Sequence, residues 1–340
     1  METLTKQLRG GGDLETLQIG EAVAALISEK VPTAEKMEFL KALHAKGESA
    51  AEIAGFAQAL LGHAMRPELD PARLPGPMLD VCGTGGDRQG YFNVSTAVMF
   101  VAAAAGACVV KHGNRSITSK TGAADVLEEL GVQIELTPAR LRQCLEEQGV
   151  AFLFAPAWHP AFKAIAPVRK ALAAEGIPTI FNLLGPLLNP AMPVHQLVGI
   201  FSAGLLPKYA GALRILGRRR AWTVHGDGTD ELTLTGPSEV RALEAGDISA
   251  FTLTPESLGL ARCAPDALRG SDRAKNARIL VSILDGTERG PKCDMVLLNS
   301  AAALVVAGLA TDLAAGVAHS RKAIENGAAL AKLHALQAFR

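Results

Sequence analysis

Apolar residues recur at helical spacing through the first part of the chain: Ile19, Val23, Leu26 and Ile27, then Met37, Phe39, Leu40 and Leu43, then Ile53, Phe56, Leu60 and Leu61. They predict three helices between residues 14 and 65, with no strand among them. Pro67, Pro71, Pro75 and Pro77 then mark a linker or hinge. Beyond it the period alternates. Short apolar runs at 78–82, 108–110, 151–154, 179–181, 196–201 and 221–224 read as strands, with helical patterns at 93–105, 122–130, 138–148, 162–174 and 205–216 between them. This order predicts a buried, mostly parallel sheet surrounded by helices. Residues 239–243 and 248–253 around Ala245-Gly246-Asp247 read as a hairpin, and helices at 273–284, 295–309 and 313–336 close the chain.

The expected fold is therefore α/β. A small all-α N-terminal domain (1–66), onto which the helices near 162–176 could pack, is joined by a proline-rich hinge (67–77) to a large α/β domain (78–340). A length of 340 residues can bury cores of that size. Zero formal net charge argues against a nucleic-acid coat or a polybasic membrane surface. The five cysteines are scattered, without a Cys-x-x-Cys pair, which favours reduced thiols and a cytoplasmic setting. Residues 1–12 are polar and then glycine-rich, unlike a signal peptide, and the longest apolar stretch, 97–110, is too short to span a bilayer. The apolar ridges of the helical domain make it a candidate surface for a homodimer.

The chemistry gathers at two strand ends. Val81-Cys82-Gly83-Thr84-Gly85-Gly86-Asp87 has the order strand, glycine turn, helix start, with the helix opening at Asn93 or Ser95. Glycines let backbone amides converge, and a helix N-terminus adds positive charge, so the stretch suits a phosphate or diphosphate. It also fits an ordinary strand-to-helix turn. The run 108–110 ends in Lys111-His112-Gly113-Asn114-Arg115-Ser116, followed by Thr118-Ser119-Lys120-Thr121-Gly122. Ligands of open α/β sheets sit at the carboxyl ends of neighbouring strands, so the two segments are expected to face one ligand. Asp230-Glu231, after the strand at 221–224, suits Mg²⁺ or forms a solvated acidic turn. Arg169 lies in a helical pattern, either as a surface residue or as a fork for a carboxylate. His112 is a candidate proton acceptor or a hydrogen-bonded structural group, and Cys82 reads as a small core residue.

Gly83-Thr84-Gly85-Gly86-Asp87, Asn93-Val94-Ser95-Thr96, Lys111 to Ser116, Pro167-Val168-Arg169, Phe181-Asn182-Leu183-Leu184-Gly185-Pro186-Leu187-Leu188-Asn189-Pro190 and Asp230-Glu231 together resemble the anthranilate phosphoribosyltransferases. The resemblance runs nearly end to end, including Lys46-Gly47-Glu48 and Leu298-Asn299-Ser300. It implies transfer of phosphoribose from phosphoribosyl diphosphate (PRPP) to the amine of anthranilate, with Mg²⁺, in tryptophan biosynthesis. It places PRPP against Gly83, Gly86, Asp87, Asn93, Val94, Ser95, Thr96, Lys111, His112, Gly113, Asn114, Arg115, Ser116 and Ser119. Anthranilate falls to Gly83, Asn114, Arg169, Gly185 and Pro186, the metal to Ser95, Asp230 and Glu231, and the catalytic roles to Lys111, His112 and Arg169.

Two positions depart from the family's pattern. Tyr91 and Ala123 stand where hydroxyl residues are common, which removes two contacts to PRPP, and Arg88 adds a charge nearby. A pyrimidine nucleoside phosphorylase-like enzyme shares the two-domain build, but phosphorolysis requires neither Asp230-Glu231 nor Arg169. A nucleotide-binding regulator without chemistry is the third alternative.

Overall fold

The structure is a computed structural model that describes residues 1–87, 89–116 and 121–340. Ser119 and Arg88 therefore lie outside the described residues. The chain opens with α1 (Glu2–Arg9), α2 (Thr16–Ile27), α3 (Thr33–Lys46) and α4 (Ala50–Leu61). Helix α1 is an addition to the three helices the pattern predicts. Its short polar sequence hides an i, i+4 pair, Leu4 and Leu8, which is buried against the rest of the bundle. Each such leucine contributes about 2 kcal/mol on burial. Helix α4 starts at a full capping box, in which Ser49 Oγ accepts the Glu52 amide and the Glu52 carboxylate accepts the Ser49 amide.

Alternating elements follow: β1 (Met78–Gly83), α5 (Val94–Ala104), β2 (Cys108–Gly113), α6 (Ala123–Glu129), α7 (Pro138–Gln148), β3 (Val150–Phe154), α8 (Ala155–Trp158), α9 (Phe162–Ala174), α10 (Phe181–Leu184), β4 (His195–Gly199), α11 (Leu206–Ile215) and β5 (Arg220–Gly226). The hairpin β6 (Ser238–Glu244) and β7 (Asp247–Leu253) precedes α12 (Arg273–Leu284), α13 (Pro291–Ala307), α14 (Leu313–Glu325) and α15 (Ala328–Ala338). Among the described residues seven strands form one sheet in the order β3-β2-β1-β4-β5-β6-β7. The first five run parallel, and the hairpin adds two antiparallel strands at one edge.

Two expectations are corrected here. Residues 179–181 are not a strand. They lead into α10, where Phe181, Leu183 and Leu184 pack into the helical core, and the run Thr179-Ile180-Phe181, although of strand-favouring residues, is too short to fix a strand against that burial. Gly185-Pro186 accordingly follows a helix. The single closing helix over 313–336 is two, α14 and α15, broken at Asn326-Gly327.

Strand β4 separates two cores. Leu197 belongs to the cluster formed with β1–β3, α5, α7, α12, α13 and α15, while its neighbour Val198 belongs to the cluster formed with α1–α4 and α9–α11. Side chains alternate across a strand, so adjacent residues serve opposite layers. Helix α9 packs on α2 and α3, and Lys41 pairs with Glu175 just past its end at 2.8 Å. None of the helices among the described residues is long and apolar enough to cross a membrane.

Candidate active site

Strands β2, β1 and β4 are parallel neighbours, so their carboxyl ends open side by side. The turn after β1 is fixed from β4: the Thr84 amide donates to Gly199 O at 2.9 Å, and Thr84 Oγ1 accepts the Phe201 amide at 3.0 Å. Gly85 and Gly86 then have φ of +67° and +85°, two consecutive left-handed residues whose Cβ positions are open. Glycine adopts this conformation without steric cost, and the missing side chains leave the backbone of the turn open to a ligand. Gly83 is glycine for another reason. A Cβ there would stand 2.2 Å from Asp230 Oδ2, so the position must be bare for the acidic loop to approach.

Three carboxylates converge beside this turn. Asp230 Oδ2 accepts the Gly85 amide at 2.7 Å, Asp87 Oδ2 accepts Thr229 Oγ1 at 2.7 Å, and Glu231 accepts the Ser95 amide. Burial and then the Asp87 charge push the Asp230 carboxyl up to about 7. Burial and then Asp230 drive Glu231 well above the usual range, against the pull of Lys111. Lys111, at the end of β2, is 2% exposed; its Nζ donates to Val81 O at 2.5 Å and to Ser95 Oγ at 3.1 Å. One ammonium thus faces an excess of acid, a donor set that fits a hard divalent cation. Among the described residues no group of three or more His, Cys, Asp or Glu has metal-holding geometry. Mg²⁺ commonly takes only one or two carboxylates, completed by water and substrate oxygens, so Asp230 and Glu231 suffice for such a site. From behind, Asn299 accepts the Leu232 amide at 3.0 Å and donates to Leu232 O at 2.8 Å, which holds the acidic loop.

His112, one residue along β2, faces the opposite way to Lys111. Its Nδ1 lies 3.1 Å from Gly185 O. A carbonyl only accepts, so Nδ1 carries the proton and Nε2 bears the lone pair. Beyond it runs a series of edge-on rings: His112 to His159 (centroids 5.3 Å), His159 to Phe162 (5.5 Å) and Phe162 to Phe181 (5.7 Å). Arg169, on α9, holds its guanidinium carbon 5.5 Å from the Phe181 centroid. Nε2 of both histidines is buried without a hydrogen-bond partner. Burial lowers His112 to about 3, helped by His159, and His159 itself to about 4. Both are neutral at pH 7. Arg169 is half-buried, with no acidic partner among the described residues, and burial alone lowers its pKa. An uncompensated guanidinium beside aromatic faces has the donor fork that matches a planar carboxylate.

The structure thus brings Gly83, Gly86, Asp87, Ser95, Lys111, Asp230 and Glu231 to one end of the cleft, and His112, Gly185 and Arg169 to the other. Other candidates are engaged locally. Asn93 donates to Thr121 O at 3.1 Å and accepts from Asn276 at 3.0 Å, while Val94 and Thr96 are buried in the first turn of α5. Gly113 lies against the Phe152 ring, and the Ser116 amide donates to Asp125 at 3.1 Å. Arg115 pairs with Glu128 at 2.6 Å and lies over the Phe154 ring; Asn114 and Gly185 are exposed, and Pro186 O accepts from Gln196 at 3.0 Å.

Sequence reasoning missed two residues. Asp80 is fully buried under both strand ends, accepting from the His112 amide at 3.2 Å and from Asn189 at 3.0 Å, and burial raises its pKa. An aspartate inside an apolar strand run was the available signal. His159 carried none, since only the turn between α8 and α9 brings it to His112.

Residues 75–330 match the family model described as glycosyl transferase family, a/b domain, and residues 2–64 match glycosyl transferase family, helical bundle domain. The anthranilate phosphoribosyltransferase of Rubrobacter xylanophilus is 48% identical over 334 residues, 97% of this chain and 95% of that protein. Among solved structures, the Thermus thermophilus enzyme is similar at a TM-score of 0.91 and 41% identity, covering 99% of this chain and 98% of its own. The Saccharomyces cerevisiae enzyme in complex with PRPP and Mg is similar at 0.88 and 29% identity, covering 98% of this chain and 96% of its own. Because both domains match and the likeness spans nearly every residue, the chain belongs to the anthranilate phosphoribosyltransferase family.

Proposed function

We propose that the chain transfers the 5-phosphoribosyl group of PRPP to the amine of anthranilate, giving N-(5-phosphoribosyl)anthranilate and diphosphate in tryptophan biosynthesis. The observation that carries this reading is the junction at Lys111-His112, where a glycine-and-lysine cradle meets a ring-lined slot ending in an unpartnered Arg169. PRPP belongs in the cradle, against Gly83, Gly86, Asp87, the 93–96 turn and Lys111. Anthranilate belongs in the slot, its carboxylate on Arg169 and its ring between Gly185-Pro186 and the aromatic faces.

Breaking the bond from C1 to diphosphate builds positive charge on the ribose and negative charge on the leaving group, so fixed charges and amides are the means of catalysis. Lys111 and the turn amides stabilise the departing diphosphate. Mg²⁺, held by Asp230, Glu231 and Ser95, would supply further positive charge to the phosphates. Arg169 fixes the nucleophile's orientation, and holding the two reactants together removes much of the entropic barrier. The aromatic amine is neutral and attacks without losing a proton first. Once bonded to C1 it must shed one, and the buried, lone-pair-bearing Nε2 of His112 is the acceptor this cleft offers.

The same reading carries pairing of two copies through the helical domain, supported by Leu17 of α2, 82% exposed. A monomer in sedimentation would remove that part alone. The activity is tested by incubating the protein with PRPP, anthranilate and Mg²⁺ and following anthranilate fluorescence and diphosphate. Equimolar change in both is expected. No diphosphate release, or turnover of a pyrimidine nucleoside with inorganic phosphate instead, would overturn the proposal.

A further inference from the structure

A second concentration of charge lies at the far ends of the strands that build the cleft. β4 and β5 start side by side at His195 and Arg220, and the cleft lies at their other ends. At these starts an open cavity of about 600 Å³ is lined by His195, the run Arg218-Arg219-Arg220, and Glu244 with the hairpin turn behind it. Three guanidinium groups and an imidazole share this cavity with one carboxylate, in a chain of zero formal charge. Arg220 pairs with Glu244. Arg218 and Arg219 have no acidic ion-pair partner among the described residues.

Arg218 is the unusual member. It is 8% exposed, its Nε donates to Gln196 Oε1 at 2.5 Å, and its Nη2 is buried with no acceptor. A buried guanidinium is ordinarily matched by a carboxylate, because an amide oxygen returns only part of the lost hydration. Burial lowers its pKa to about 10, so it stays charged at pH 7. Gln196 in turn donates to Pro186 O at 3.0 Å, which fixes the amide oxygen toward Arg218. Above it Arg219 is exposed, and His195 bonds through Nδ1 to Met78 O at 3.1 Å. The charges of Arg219 and Arg220 add to burial in lowering the His195 pKa, so that ring senses the local positive field.

We propose that this cavity is a second, non-catalytic binding site for a small oxyanion, a phosphate ester or a polycarboxylate, held by Arg219 and Arg220 over the buried charge of Arg218. The volume suits a ligand of metabolite size. Arginine forks grip phosphate and carboxylate oxygens alike, so the geometry fixes the anion and leaves its source to measurement.

The test is histidine Cε1–H NMR of the intact enzyme, with the His195 resonance identified by His195→Gln, titrated with inorganic phosphate and separately with citrate at constant ionic strength in chloride. A saturable shift of His195 with at least one anion is expected. Phosphate acting alone points to phosphate esters, and citrate acting alone to polycarboxylates. In Arg219→Ser/Arg220→Ser the dissociation constant should rise about tenfold or more, with kcat and the KM for PRPP within about twofold of wild type. A His195 signal that never saturates with either anion, or that saturates equally in the double variant, overturns the proposal. So does a double variant that sediments as a monomer where wild type is a dimer, since the cavity would then be a subunit contact.

Discussion

The Asp230 carboxylate occupies the glycine turn itself: Oδ2 accepts the Gly85 amide at 2.7 Å and stands 2.2 Å from where a Cβ on Gly83 would lie. Turn and acid therefore form one unit, and Gly83→Ala cannot be accommodated without moving Asp230. The variant should keep its far-UV circular dichroism yet raise the KM for PRPP and lower kcat, costing about 2–4 kcal/mol in kcat/KM, or about 30-fold to 1,000-fold. An activity near wild type would mean that the two groups act separately.

Arg169 has no acidic partner to lose, so replacing it should not strand a buried carboxylate. Arg169→Gln is expected to raise the KM for anthranilate about 30-fold, the equivalent of about 2 kcal/mol for a charged hydrogen bond. The KM for PRPP should move by less than about threefold. Steady-state kinetics with each substrate varied in turn decides this, and equal effects on both would count against the assignment.

In metal-free protein Asp230 and Glu231 should contribute less stability as pH rises. A carboxyl whose folded pKa is raised holds its proton longer in the folded chain, so stability is full below the unfolded value of about 4 and declines as pH climbs through the folded value. For Asp230 that window runs from about 4 to about 7, and Glu231 extends it upward. In EDTA the melting temperature of Glu231→Gln, taken relative to wild type at each pH, should rise as pH climbs through and above this window. Millimolar Mg²⁺ should raise the wild-type melting temperature at pH 8 and leave Asp230→Asn/Glu231→Gln unmoved.

The histidines contribute with the opposite sign. His112 and His159 titrate at about 3 and about 4 in the folded protein, below the unfolded value of about 6.5. The unfolded chain binds protons first on acidification, so their contribution is complete above pH 6.5 and is lost as pH falls toward 4. His159→Gln should therefore melt progressively closer to wild type, or above it, as pH drops through that range. The pH profile of kcat/KM should carry no histidine inflection near 6.5.

Much of this was legible from spacing. The glycine turn, Lys111 and Asp230-Glu231 sit at strand ends, where apolar runs stop and polar residues begin, and a strand end is the feature that periodicity locates best. Arg169 lies on α9, and His159 in the turn just before it, and the placement of both depends on tertiary packing of α9 against α2 and α3, which no local pattern encodes. Residues 179–181 misled for the same reason: a short run of strand-favouring residues was absorbed by the helical core. Asp80 interrupts an apolar strand run, but its partners, the His112 amide and Asn189, are distant in sequence, so what it binds beneath the site follows only from the fold.

The most direct measurement is a crystal structure of the protein soaked with PRPP and Mn²⁺ in place of Mg²⁺, read by anomalous scattering. A manganese peak is expected between the diphosphate and the Asp230-Glu231 carboxylates, with the diphosphate on the amides after Gly83 and within hydrogen-bond reach of Lys111. Diphosphate bound elsewhere, or a metal peak remote from both carboxylates while PRPP is present, would contradict it.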